Sequence, residues 1–457
     1  MTGRVARSAP RPGVVPSVGP MRPSRLPSIG ERTLDNGARV LVSRRPGIPR
    51  FELQLRIPTV RGAKAEDQAR MTLLAETLLS GTPQHTSVEI AETSQRLGGS
   101  LATGADAEWL IVSGSALSTS LSPFLALLGE VVTEASFPPE EVSVERDRVS
   151  QELLVALSQP DTIARDALWA RLYPEHPYGR GTPAPAAVAR VAPAALRRAL
   201  ASRALPAGSV LAIVGDVAPA RALGAVEASL GEWAEGTPGA ADQTRLRPPR
   251  PPSPGPIVLV DRPGAVQTNI RLGGPALPRQ HPDFPALALA NVIFGGYFTS
   301  RLVDNIRERR GYTYSPRSVI EHRAAASTLW IGADVGTDVT AAALVEIQYE
   351  LGRMVATDVE QLELDAARRY VQGALAMAVQ TQAGLCTYAA VLATLGLDIG
   401  YLRSYPAALE KVTIEQVRAA AAAYLAPSRL VTVLVGDAAA IAPSVGAVAE
   451  VEVRSVP

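Results

Sequence analysis

SVLAIVGDVAPA (residues 209–220) and LVTVLVGDAAAI (430–441) are two copies of one pattern, with Gly215 and Gly436 lying 221 residues apart. The helix-like stretches upstream, VAPAALRRALASRAL from Val191 and VTIEQVRAAAAAYLA from Val412, keep that spacing of 221. Nearer the start of each copy, VLVSRRPGIPRFELQL from Val40 resembles VLVDRPGAVQTNIRL from Val258, 218 residues on. Three matches in the same order at nearly constant spacing describe a tandem duplication. Its unit is roughly 200 residues, the size of one domain.

The seam between the copies is visible in composition. Six of the nine residues from 248 to 256 are proline, which makes a stiff, extended spacer. The expected organisation is a leader over 1–30, a first domain over 31–235, a linker over 236–256 and a second domain over 257–457. Within each copy a strand pair comes first; in RFELQLRIP (50–58) Phe51, Leu53, Leu55 and Ile57 alternate onto one face. Helices follow, and a late strand ends in V-G-D, where glycine and aspartate break the run. The expected fold class is therefore α+β: two homologous two-layer domains, each a mixed or antiparallel sheet covered by helices.

Charge excludes some partners. Forty-five basic side chains nearly balance 44 acidic ones, so no overall field draws the chain to nucleic acid or to an anionic membrane. No segment reads as a membrane span. The first thirty residues hold six prolines and no apolar signal core, and read as a disordered leader or a start-site extension, with initiation at Met21 as an alternative. The lone cysteine, Cys386, excludes an internal disulfide. The expected compartment is the cytoplasm.

The ordered motifs carry a resemblance. Asn36-Gly37 precedes a strand; LLSGT (78–82) closes a helix; EIAETSQRLGGS (89–100) and PYGRGT (177–182) follow, and V-G-D ends the late strands. In order and spacing, from about residue 31 to 440, this resembles the pitrilysin/insulinase-type zinc peptidases, which carry an inverted H-x-x-E-H motif and two similar α+β domains per half-molecule.

Laid on this chain, H-x-x-E-H falls on Thr72-Leu73-Leu74-Ala75-Glu76. The first histidine position is Thr72, the general-base position is Ala75 and the second histidine position is Glu76. They lie on a helix expected from about Ala65 to Ser80, with Gly81 as its stop and Met71, Leu74, Leu78 and Leu79 as its apolar stripe. Zinc wants imidazole or thiolate donors, and a hydrolytic site wants a base. Thr72 is a poor ligand and Ala75 is no base. The four histidines, His85, His176, His281 and His322, form no helical pair elsewhere. The resemblance places a third ligand on a later helix within E-x-x-x-x-x-x-E, matched by Glu145 and Glu152, two turns apart on one face. These are either relics of a ligand set or members of an ordinary surface ion pair with Arg148. Glu76 with Glu152 alone makes a poor hard-cation site. Where the resemblance implies an asparagine-alanine pair after G-G-S, this chain has Ala102 and Thr103. No metal is expected to bind to this chain.

The second copy differs. FGGYFTSRLVDNIRERRGYTYSPRS (294–318) reads as a helix from about Thr299 to Arg310, burying Leu302, Val303 and Ile306, then a stop at Gly311 and a strand. Arg307 and Tyr314 match an R-x-x-x-x-x-x-Y pair that, by the resemblance, binds the substrate backbone and the oxyanion. From the residues alone a helix-end cation and two half-buried strand tyrosines read as well. The resemblance implies a non-catalytic subunit of a heterodimeric zinc peptidase. Such a chain is inactive alone and supplies Arg307 and Tyr314 in trans to a zinc-bearing homologous subunit acting on peptide or unfolded polypeptide, held extended by strand addition. The alternative is a stand-alone peptide-binding or assembly protein.

Overall fold

The computed structural model of the chain describes residues 28–59, 65–203, 206–233, 246–253 and 255–455. Nearly all of the leader, with Met21, and residues 236–245 and 254 of the linker lie outside the described residues. The first copy builds β1 (Ile29–Thr33), β2 (Arg39–Arg44), β3 (Arg50–Pro58), β4 (Ser100–Ala105), β5 (Trp109–Leu117) and β6 (Val210–Gly215). The second builds β7 (Ile257–Asp261), β8 (Gln267–Ala276), β9 (Arg317–His322), β10 (Ser327–Gly336), β11 (Val431–Gly436) and β12 (Val451–Ser455).

The strands form two six-stranded sheets, in the orders β1-β2-β6-β3-β5-β4 and β12-β7-β11-β8-β10-β9. Read across, β2, β6, β3, β5 and β4 correspond to β7, β11, β8, β10 and β9, so the sequence repeat is a repeat of sheet topology. Both sheets are mixed: β2–β6 and β7–β11 run parallel, while β3–β5 and β8–β10 run antiparallel. Only the outermost strand differs, β1 antiparallel to β2 and β12 parallel to β7. The repeated V-G-D has a steric cause. A Cβ on Gly215 would lie 2.4 Å from the carbonyl oxygen of Arg50, and one on Gly436 2.6 Å from Ile441 and 2.9 Å from Thr268.

The helices used below are α1 (Ala65–Thr77), α2 (Leu121–Glu134), α3 (Pro139–Ser158), α4 (Pro160–Leu172), α5 (Phe284–Asn291), α6 (Thr340–Ala356), α7 (Gln361–Ala378) and α8 (Gln382–Thr394). One face of the first sheet packs on α1 and α2, where Leu73, Leu74, Phe124 and Leu128 meet Phe51, Leu53 and Leu55. One face of the second packs on α5 and α6, where Leu287, Leu289, Leu344 and Ile347 meet Ile270, Leu272, Leu329 and Ile331. This is the expected two-layer α+β unit, present twice.

The second face of each sheet is closed by a helix of the other copy. From the first copy, α4 sets Ala164, Leu168, Trp169 and Leu172 against Val258, Val260, Val431 and Val433 of the second sheet. From the second copy, α8 sets Leu385, Cys386, Ala389 and Ala390 against Leu41, Val210, Ala212 and Val214 of the first. Polar groups seal the joint. The buried Arg271 guanidinium meets Asp161 of α4 at 2.5 Å and Asp334 at 2.8 Å. Glu108 accepts bonds from the Tyr178 hydroxyl and the Ala324 amide, and burial raises the pKa of its carboxyl. Tyr178 belongs to PYGRGT, so that motif works here as a fastener between the copies. Cys386 is buried in the joint, and burial pushes its thiol pKa up.

One sequence reading needs correcting. The stretch Phe284–Arg309 is long and apolar enough, by length and composition, to cross a membrane, but it is mostly buried within the protein. Every residue of α5 is buried, which accounts for its composition.

Candidate functional site

α1 carries the positions that the motif singles out. Its buried side holds Ala69, Leu73 and Leu74 with Ala75, which is 1% exposed, and this packing against the sheet keeps the helix in place. The helix ends at Thr77, three residues before the expected end, and a turn leads to Gly81, whose φ of 146° disfavours any side chain. Thr72 is half-buried and Glu76 exposed on the outer side. The Thr103 hydroxyl, in one of the two positions where the resemblance implies asparagine-alanine, donates to the Ala75 carbonyl at 2.7 Å and ties β4 to α1.

At the centre of the degenerate site lies a guanidinium. Arg148 of α3 reaches Glu76 at 2.6 Å, Glu145 at 2.8 Å and Glu152 at 2.5 Å, each through a different nitrogen. The carboxylate at the second histidine position and both members of the E-x-x-x-x-x-x-E pattern therefore converge on one cation supplied by the protein. The bond from Glu145 above all, then those from Glu76 and Glu152, raise the Arg148 pKa further. Of the two readings of Glu145 and Glu152, the ion pair is the one seen: both carboxylates are engaged by Arg148.

These residues do not fit zinc. Their donor set is carboxylate only, its centre is filled by a fixed positive charge, and Ala75 offers no base. Among the described residues no group of three or more His, Cys, Asp or Glu side chains is disposed to hold a metal ion. The histidines are engaged elsewhere. His85 Nδ1 lies 2.9 Å from Glu130, His176 Nε2 3.0 Å from the Arg247 carbonyl, His322 Nδ1 2.8 Å from the Ser327 hydroxyl and His281 Nδ1 3.8 Å from Asp283.

The segment bearing Arg307 is anchored separately. It comprises a short α-helix, Arg301–Val303, continued as a π-helix, Asp304–Arg309, where a uniform α-helix was expected. Leu302, Val303 and Ile306 are buried beneath it, as their spacing implied. Arg301 clasps Glu363 of α7 through two bonds of 2.7 Å. Asn305 donates to Glu350 at 2.8 Å and to Glu346 at 3.0 Å, both on α6, and Arg310 pairs with Glu346 at 2.6 Å. Gly311, with φ of 64°, turns the chain.

Tyr314 does not lie in a strand. β9 begins only at Arg317, because Pro316 cannot donate to a ladder. Tyr314 stands in the loop, 80% exposed. The Arg307 guanidinium lies 4.6 Å from the Tyr314 ring centroid and 4.6 Å from that of Phe298, itself 64% exposed. Phe298 was missed in the sequence. Its signal was an aromatic residue in a glycine-flanked turn, FGGYFTS, beside the arginine-bearing helix.

The structure keeps the two groups apart. A cleft of about 480 Å³ between the copies is lined by Thr72, Gln68, Trp169, Tyr178 and Arg323, and neither Arg307 nor Tyr314 borders it. Glu76 is engaged by Arg148 and Arg307 by two aromatic rings and Glu308, with no side-chain contact joining the sets among the described residues.

The family model described as "Insulinase (Peptidase family M16)" matches residues 72–186, and that described as "Peptidase M16 inactive domain" matches 191–371. An uncharacterized zinc protease of Mycobacterium tuberculosis is 25% identical over 425 residues, covering 89% of this chain and 93% of the relative. One of Bacillus subtilis is 22% identical over 354 residues, covering 76% and 84%. In fold, the chain is similar to a peptidase M16 inactive domain from Pseudomonas fluorescens, with a TM-score of 0.78, 24% identity and coverage of 90% and 98%. It is also similar to a protease from Helicobacter pylori, with a TM-score of 0.79, 17% identity and coverage of 90% and 100%. The duplicated sheets, the ordered motifs and these two adjoining matches make this chain a member of the insulinase-like peptidase family M16.

Proposed function

We propose that the chain is the non-catalytic subunit of a heterodimeric zinc peptidase, presenting Arg307 and Tyr314 to a peptide held at a metal centre on a homologous partner. The observation that carries this reading is the contrast between the two sites. The metal positions are occupied by Thr72, Ala75 and Glu76, the last locked to Arg148 at 2.6 Å, whereas Tyr314 is 80% exposed beside a guanidinium. Arg307 and Tyr314 are hydrogen-bond donors suited to a carbonyl oxygen on which negative charge develops. In this reading their part is to bind and orient the peptide and to stabilise that oxygen, while the metal and the base belong to the partner. The substrate is an extended peptide or unfolded polypeptide, for which β4, the outer strand of the first sheet, offers an edge to pair with.

That edge equally favours the second reading, a stand-alone peptide-binding or assembly protein. One experiment separates the two. The chain is mixed with the homologous subunit that co-purifies with it and carries an intact H-x-x-E-H, and cleavage of an internally quenched, unstructured peptide is followed. The heterodimer reading predicts little cleavage by either subunit alone and fast cleavage by the mixture. A mixture no faster than the zinc-bearing subunit by itself contradicts it.

A further inference from the structure

We infer that Phe298 is a positioning residue for Arg307, a third member of the donor unit that holds the guanidinium against its ring and leaves N–H groups for a ligand. The inference rests on the proposed role of Arg307 and Tyr314.

An exposed phenylalanine alone would carry no weight, because single apolar side chains are common on protein surfaces. What singles out Phe298 is its geometry. It sits in the turn at 297–300, between the buried helical run ending at Gly296 and the segment that carries Arg307. Its ring centroid and that of Tyr314 are equidistant from the Arg307 guanidinium carbon, at 4.6 Å. The Arg307 side chain is only 24% exposed, although the rings beside it are 64% and 80% exposed. Two aromatic side chains on a turn and a loop thus shelter a cation that the helix alone would leave in water.

The manner of holding suits a donor. The neighbouring Arg301 commits its Nε and Nη2 to a two-bond clasp with Glu363 and is fixed as a structural strut. Arg307 has no such clasp. Its one acidic neighbour is Glu308, with Nε 3.3 Å from the carboxylate, and no hydrogen bond among the described residues takes either Nη group. Ring contact holds the cation without offering it an oxygen acceptor, so its five N–H donors are not spent on a carboxylate or carbonyl clasp. The two rings therefore confine Arg307 and leave its N–H donors to meet a peptide carbonyl or carboxylate. Orientation set in advance spares the cost of ordering a long, rotamer-rich side chain when the ligand arrives.

The test uses the full chain with Phe298→Leu, Phe298→Tyr and Arg307→Ala. Phe298 is exposed, so the leucine variant keeps an apolar side chain and removes only the π face. In the isolated chain, NMR of the Arg307 δ-methylene protons should show loss of an upfield ring-current shift in Phe298→Leu and its return in Phe298→Tyr. In the reconstituted pair acting on the quenched peptide, Phe298→Leu should lower kcat/KM by about two- to fivefold, the size of an exposed cation–π contact, and Phe298→Tyr should restore it. Unchanged kinetics in Phe298→Leu, in a pair where Arg307→Ala is impaired, overturns the role of Phe298 alone. Full turnover in Arg307→Ala overturns the donor reading itself, and the role of Phe298 with it.

Discussion

Arg148 shows how one side chain can take over a position that chemistry has vacated. Three carboxylates on two helices would repel one another; a guanidinium among them turns that repulsion into a cross-link between α1 and α3. The groups are substantially exposed, so each pair contributes little, typically 0.2–1 kcal/mol. Arg148→Ala should therefore lower stability by about 1–2 kcal/mol, and the deficit should shrink in 1 M salt. Urea denaturation at two ionic strengths checks both; a salt-independent loss would mean that packing rather than charge is what Arg148 supplies. Three of the four members of this cluster were legible in the sequence. Glu145, Arg148 and Glu152 are helical neighbours, readable from spacing, but Glu76 lies 72 residues from Arg148 and the contact depends on how α1 meets α3. Tyr314 was misplaced for a related reason. Y-T-Y-S has strand composition, but the left-handed turn at Gly311 and the proline at 316 keep it in a loop.

Among the elements, the reciprocal exchange of α4 and α8 has the largest consequence. The sequence singled out neither helix, and periodicity cannot say which sheet a helix covers. That choice is tertiary: each sheet has a second apolar face, and in each case a helix of the other copy closes it. Leu385, fully buried on α8, packs against residues of β2 and β6 more than 170 positions earlier in the chain. Leu385→Ala should destabilise the fold by about 2–5 kcal/mol. It should also weaken hydrogen-exchange protection in β2 and β6 of the first copy, not only in α8. Unchanged protection of those strands would show that the two copies are energetically independent. The helical segment with Arg307 was legible in its apolar residues but not in its π-helical form, nor in the bonds that Asn305 and Arg310 make to α6.

At the scale of the whole molecule, duplication gives two sheets of one topology whose outer surfaces have diverged. The first copy keeps the frame of a metal-binding helix and fills it with an internal ion-pair cluster. The second sets Phe298 and Tyr314 around Arg307 on a segment tied to α6 and α7. The fold class could be read from the chain, because it depends on local pattern and on the spacing of the repeat. The joint between the copies and the aromatic hold on Arg307 could not, because they depend on which distant surfaces meet. The central claim is that a guanidinium stands where a catalytic metal would be, so that this subunit contributes donors and not a metal. Zinc content of the isolated, full-length chain after equilibrium dialysis against micromolar zinc tests it most directly. The account predicts far less than one zinc per chain and no peptide cleavage of its own; one tightly held zinc per chain, with cleavage abolished by a chelator, would contradict it.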